Sequence, residues 1–146
     1  YLPSELQGAY LWGQLELAER IIDDRLATWQ KYYDAFAPLA ASGKAQLPVI
    51  ADGCIHNGHM FYIKASNLDE RTALLAHLKE CGVHAVFHYV PLHSAQAGSR
   101  FSRMHGKDGN TTVESERLIR LPIWYGIDAD ASAKVIRSVL SFYNLA

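Results

Sequence analysis

The sequence has few cysteines, no block of like charge and no long apolar run. Two cysteines, Cys54 and Cys81, in 146 residues are too few for a disulfide scaffold and read as thiols. Lys plus Arg number 14 against Asp plus Glu 15, a formal net charge of −1. That balance excludes the strong electrostatic footprint of a protein that binds nucleic acid or an anionic membrane. No apolar stretch approaches the roughly 20 residues needed to cross a bilayer, and no basic segment leads into an apolar one at the start. The expected compartment is the cytoplasm. There is no Walker pattern, no Gly-x-Ser-x-Gly and no paired metal knuckle. The chain opens on Tyr1-Leu2-Pro3-Ser4 instead of methionine, which reads as a piece of a longer protein.

What is present is 49% apolar residues, enough for one ordinary domain with a core of its own. Ser4 followed by Gln7 fits a capping box, so a helix is predicted to begin there. Leu15, Ala18, Ile22, Leu26, Trp29, Tyr33 and Phe36 recur at steps of three or four, which extends that helix as one long amphipathic rod to about Ala41. Gly8, Ala9 and Gly13 lie ahead of this stripe and mark either a kink or simple core packing, or a helix contact to another domain or subunit. Gly43 ends the rod.

Short extended pieces are predicted over Gln46–Val49, His56–Ala65 and Val83–Val90, the second of them internal to a sheet. A helix is predicted over Asn67–Cys81 with Gly82 as its stop. Ser94–Asn110 reads as a loop, Thr111 to about Arg120 as a helix, and Asp130 as the cap of a last helix whose apolar side runs from Val135 to Tyr143. The order of elements predicts an α+β fold, a short sheet packed by helices with a long first helix, in a single domain spanning residues 1–146.

The chemical signal lies between Cys54 and His93, where His56, His59, Tyr62, His84, His88, Tyr89 and His93 are concentrated. Imidazoles and phenols form hydrogen bonds without a full buried charge, which suits sugar hydroxyls or phosphate oxygens. Each histidine alone also fits an ordinary surface or core position. His88-Tyr89-Val90-Pro91-Leu92-His93 stands apart, because it places three such groups around a strand end and a proline turn. Cys54, His56, His59, Cys81 and His84 match no usual zinc spacing, and His56 and His59 would face opposite sides of a strand, so no metal site is expected. Composition and spacing alone reach a domain with one polar-aromatic corner and no reaction.

Four motifs in register carry more. Ser4-Glu5-Leu6-Gln7-Gly8-Ala9 with Gly13-Gln14-Leu15, His56-Asn57-Gly58-His59-Met60-Phe61, His88-Tyr89-Val90-Pro91-Leu92-His93, and Ser115-Glu116-Arg117-Leu118 with Leu121-Pro122-Ile123 run in order through the chain. Together they resemble the C-terminal domain of the sugar aminotransferases of the DegT/DnrJ/EryC1/StrS type. The resemblance implies the small C-terminal domain of a fold-type I, homodimeric enzyme that uses pyridoxal 5′-phosphate. It implies L-glutamate as amino donor and a dTDP-4-keto-6-deoxyhexose as acceptor. It also implies a Schiff-base lysine in a larger upstream domain, since Lys31, Lys44, Lys64, Lys79, Lys107 and Lys134 lie outside that lysine's context and Lys44 and Lys134 read as ordinary exposed charges. No catalytic residue is then expected in this chain, which alone would be inactive.

By the same resemblance His88 and Tyr89 contact the hexose hydroxyls, His93 lies at the same mouth, and His59 lines or supports the cleft. Tyr1 follows a loop that reaches a neighbouring subunit's cofactor phosphate, with Leu2 where many relatives have Arg. Gly58 replaces a usual aromatic, which either widens the sugar pocket or reflects a different packing neighbour. Two rival readings are a non-catalytic α+β interaction module docking through Trp12, Trp29 and Tyr32, and a small zinc hydrolase built on the Cys and His cluster.

Overall fold

Ser4 starts the first helix as its sequence predicts. Its hydroxyl accepts the Gln7 amide at 3.3 Å while the Gln7 side chain accepts the Ser4 amide at 2.8 Å, closing the capping box. This computed structural model describes residues 2–145, so the expectation for Tyr1 lies outside the described residues. Among the described residues there are six helices and three strands, an α+β arrangement.

The predicted rod is two helices, α1 over Glu5–Glu16 and α2 over Ala18–Ala41, parted at Leu17, whose amide turns back to the Gln14 and Leu15 carbonyls. Burial changes at this junction. No residue of α1 is buried, whereas Trp29, Tyr32, Phe36 and Leu39 of α2 are. The stripe therefore shifts from the predicted one: Leu15 and Ile22 are exposed, and Tyr32 belongs to the core. Burial of Trp29 and Tyr32 also removes two of the three aromatics proposed for docking a partner, leaving Trp12 at 68% exposure.

Beyond Gly43 the chain forms β1 (Phe61–Lys64), α3 (Leu68–Glu80), β2 (Val86–Phe87), α4 (Gln96–Phe101), α5 (Thr111–Arg117), β3 (Leu118–Leu121) and α6 (Ala129–Phe142). The sheet is antiparallel in the order β1-β3-β2, with Phe61 opposite Leu121 and Val86 opposite Arg120. Here the sequence reading is corrected in several places. The central strand is β3, in a segment predicted to be helical to Arg120, and β1 is a flanking strand instead of an internal one. The extended piece at Gln46–Val49 reduces to a single bridge between Gln46 and Lys64, and the strand over His56–Ala65 to its last part, Phe61–Lys64. The predicted loop contains α4, which rests on the turn before it, since a side chain at Gly98 would run into the Leu92 carbonyl.

Phe61 and Ile63 of β1 and Ile119 and Leu121 of β3 face one side of the sheet, where α2, α3 and α6 cover them. Trp29 meets Phe61 edge-on with ring centroids 5.4 Å apart, and Tyr32 does the same at 5.4 Å. The Tyr32 hydroxyl donates to the Pro122 carbonyl at 2.9 Å, and burial pushes that phenol up to about 12, so it stays neutral. Helix α3 begins at Asn67, which accepts the Glu70 amide, and ends before Gly82 at φ +69, as predicted. Helix α6 is capped by Asp128, two residues before the expected Asp130, because Asp128 has the extended backbone that lets its carboxylate accept the Ala131 amide at 2.6 Å.

Candidate functional site

Strand β3 runs between two hollows. At its Leu118 end lies a cavity of about 320 Å³ whose walls include His88, Tyr89, Pro91, Thr111 and Glu114. At its Leu121 end lies a larger one, about 690 Å³, to which His59, His84 and Arg120 contribute. The structure thus brings His88 and Tyr89 together and places His59 at the other hollow.

His88 and Tyr89 follow β2 directly. Their rings meet edge-on, 4.8 Å apart. Tyr89 holds φ +56, a conformation that costs a non-glycine residue about 1 kcal/mol or more, yet the residue is 74% exposed. The Nδ1 atom of His88 is buried without a partner. His93 sits across the proline turn, where its Nε2 lies 2.8 Å from the Asp108 carboxylate and 3.2 Å from the Thr112 hydroxyl. Thr112 donates its hydroxyl and amide to Asp108, and with the nearby His93 this holds the Asp108 carboxyl below the usual carboxylate range.

Glu114 of α5 joins this corner to the sheet. Its carboxylate lies 2.5 Å from the Lys64 ammonium and 3.4 Å from Arg117. The Lys64 hydrogen bond is the larger cause of a carboxyl held below its ordinary value. Neither Glu114, which titrates low, nor Asp108 is placed to act as a general acid near neutrality.

His59 is exposed in the irregular segment before β1. Arg25 of α2 holds that segment, donating to the Gly58 carbonyl at 3.2 Å and to the His59 carbonyl. Gly58 explains itself here. It adopts φ +59, and a side chain at this position would stand 3.0 Å from the Arg25 and Leu26 backbone. The glycine answers to a helix packed against it, the second of the two readings offered for it.

The other titratable groups are tied into the fold. Lys31 donates to Ser132 at 2.7 Å, and half-buried Lys44 donates to the Tyr143 carbonyl at 2.6 Å, a correction to its reading as an ordinary exposed charge. Lys134 is exposed as expected. His77, which stood outside the sequence-level cluster, bonds the Ser138 carbonyl at 3.0 Å and lies 3.6 Å from the Cys81 sulfur. Asp108 and Glu114 are further groups that sequence reasoning missed, because each acts on a partner distant along the chain. Among the described residues no three His, Cys, Asp or Glu side chains gather as a metal set, and no helix is long and apolar enough to cross a membrane.

A pyridoxal phosphate site requires a free lysine amine to form the Schiff base. The amines of Lys31, Lys44 and Lys64 are engaged as described, Lys134 reaches toward the Gly82 carbonyl, and exposed Lys79 and Lys107 lie on the surface. None lines the hollow beside His88 and Tyr89. The residues of this chain do not by themselves fit the cofactor.

The architecture recurs in solved enzymes. DesV of S. venezuelae superposes with a TM-score of 0.84 at 24% identity, over 94% of this chain and 36% of that one. PseC of Helicobacter pylori, an aminotransferase involved in the biosynthesis of pseudoaminic acid, gives 0.78 at 18% identity, over 91% and 35%. The aminotransferase TlmJ of Streptoalloteichus hindustanus gives 0.77 at 19%, over 90% and 34%. The chain thus spans about a third of the length of these proteins, and its fold is that of the C-terminal region of fold-type I aminotransferases. The model of the DegT/DnrJ/EryC1/StrS aminotransferase family matches residues 3–140. The chain belongs to that family. Within the same fold, the Spr1654 protein of Streptococcus pneumoniae has been solved in PLP and PMP forms.

Proposed function

We propose that this chain is the smaller, C-terminal domain of a pyridoxal phosphate-dependent nucleotide-sugar aminotransferase. The enzyme transfers the amino group of L-glutamate to a dTDP-4-keto-6-deoxyhexose. Its product is dTDP-4-amino-4,6-dideoxygalactose, an amino sugar for enterobacterial common antigen, and it works as a cytoplasmic homodimer. The family match supports the reaction class, and the His-Tyr-x-Pro-Leu-His motif supports the sugar.

The observation that carries the reading for this chain is Tyr89. A strained backbone that leaves a large ring exposed gains nothing for folding, and such strain persists where a group must be presented to a ligand. Helix α1 supports the domain assignment. Leu6, Tyr10, Leu11, Trp12 and Leu15 are all more than half exposed along a helix with no buried residue, a surface that a larger domain would cover.

When bound, pyridoxal phosphate supplies the electron sink that makes the carbon chemistry accessible. The work of this domain is orientation. His88 and Tyr89 would hydrogen-bond the hexose hydroxyls and fix which carbon faces the cofactor. His93, braced by Asp108, would close the same mouth, and His59 would support the domain from the segment before β1. The lysine that binds the cofactor and moves the proton would belong to the larger domain, and this chain alone would be inactive.

The test is to supply the full-length protein with pyridoxal phosphate, L-glutamate and a dTDP-4-keto-6-deoxyhexose, then follow 2-oxoglutarate and the amino sugar by mass spectrometry. Formation of both supports the assignment. A protein that binds the cofactor yet leaves the keto sugar unchanged refutes the acceptor.

A further inference from the structure

Asn57 and Gly58 stand in the irregular segment before β1, away from the His88–Tyr89 corner. Of the four asparagines in the chain, Asn57 alone precedes a glycine. Asn-Gly commonly forms the turn of a β-hairpin, but residues 54–60 lie in no strand and the pair has no such duty here. The polar atoms of the segment are arranged instead around two atoms that can join, the Gly58 amide nitrogen and the side-chain carbonyl carbon of Asn57.

Each of these two atoms meets a group that would activate it. The Gly58 N–H donates to His56 Nδ1 at 3.3 Å, so the neutral imidazole holds a lone pair at the proton that must leave when the nitrogen attacks. The His59 N–H donates to Asn57 Oδ1 at 3.0 Å, which polarises that carbonyl and meets the charge that attack would put on its oxygen. Other side chains hold these groups in place. Arg25 donates to the Gly58 and His59 carbonyls, and half-buried His56 has its ring centroid 4.4 Å from that of Trp29. Gly58 has no side chain to crowd ring closure, whereas Asn67, Asn110 and Asn144 precede Leu68, Thr111 and Leu145. Asn57 itself is exposed, so water reaches the product.

We propose that Asn57 is a self-modifying site, deamidated by the Gly58 amide with His56 as base and the His59 amide as donor to the developing oxyanion. The Gly58 nitrogen gives its proton to His56 and bonds to the Asn57 side-chain carbon, whose C=O electron pair moves onto Oδ1. Collapse of this tetrahedral centre re-forms the carbonyl and breaks the bond to the side-chain nitrogen, which takes the proton back from His56 and leaves as ammonia. Water then opens the cyclic imide at either carbonyl to give aspartate or isoaspartate, with no change of oxidation state. Either product places a carboxylate at position 57. Isoaspartate also adds a main-chain carbon, which shifts the Gly58 and His59 carbonyls from Arg25. This chemistry is independent of the aminotransferase reading.

The experiment incubates the full-length protein at neutral pH, folded and in guanidinium chloride, and follows every asparagine by peptide mapping and mass spectrometry. Labelling by isoaspartyl methyltransferase is the second readout. Asn57 should convert about tenfold faster in the folded protein than in the unfolded chain, while Asn67, Asn110 and Asn144 stay intact over the same period. His56→Gln, which keeps an acceptor for the Gly58 amide but supplies no base, should slow folded-state conversion about tenfold. His56→Phe, which keeps a ring against Trp29, should do the same, and circular dichroism checks that each variant is folded. Conversion no faster in the folded protein than in guanidinium chloride overturns the proposal, because the contacts then restrain the segment without activating it. A folded His56→Gln or His56→Phe protein that converts as fast as the wild type overturns it too. The comparison of folded with unfolded chain needs no variant and decides the matter should neither substitution fold.

Discussion

The Nε2 atom of His93 and the carboxylate of Asp108 stand 2.8 Å apart, joining the proline turn after β2 to the end of the loop that precedes α5. Asp108 also accepts the Thr112 hydroxyl and amide, so one carboxylate ties three parts of the corner together. In the folded state its carboxyl is held below the usual carboxylate range, first by the Thr112 hydroxyl. A depressed carboxyl stabilises above its unfolded value, and that contribution is lost as pH falls through the lower folded value. Hydrogen-exchange protection of the Thr112 amide, corrected for intrinsic rate, should therefore fall on acidification below the ordinary carboxylate range. Asp108→Asn should lower protection at neutral pH and flatten that dependence.

Tyr89 sets a trade between stability and use. Tyr89→Gly removes the cost of φ +56 and should leave the protein as stable as before or more so by about 1 kcal/mol in urea unfolding. In the full-length enzyme the same change should raise KM for the keto sugar several-fold. A loss of both stability and binding would show that the ring packs within the fold.

His88→Ala and Tyr89→Phe in the full-length enzyme should lower kcat/KM for the sugar by about tenfold while leaving pyridoxal phosphate retention within twofold of normal. Absorbance of the bound cofactor and steady-state rates measure the two separately. Parallel losses would mean misfolding.

Gly58→Ala should destabilise the protein by about 2 kcal/mol, since it adds both left-handed strain and a 3.0 Å contact with the α2 backbone. Urea unfolding gives the figure. Gly53→Ala is the control: its φ is +74 with open space around it, so it carries the strain without the contact and should cost less.

The isolated chain mixed with pyridoxal phosphate and reduced with borohydride should show no stoichiometric, site-specific pyridoxyl lysine by peptide mapping. One modified lysine at full occupancy would contradict the assignment of the Schiff base to a larger domain.

Much of the helical framework was legible because its signals are local. Ser4 with Gln7, Gly43 and Gly82 mark helix ends through contacts within a few residues, and each boundary falls where the sequence predicts it. The His88–His93 motif was legible as a strand end and a proline turn, and there His88 and Tyr89 border one hollow while His93 meets Asp108. The break at Leu17 had no such sign, since neither proline nor glycine stands there.

By itself the sequence determined the helix ends at Ser4, Gly43 and Gly82, the apolar side of α6 and the family to which the motifs belong, since each is written in neighbouring residues. Only the tertiary structure decided that Leu118–Leu121 is the central strand. Four residues after a helix satisfy either period, and it is pairing with Phe61–Lys64 and Val86–Phe87, far away along the chain, that satisfies their backbone groups. The same pairing separated His59 from His88 and Tyr89. A strand has two ends, and residues close in sequence were carried to opposite ones.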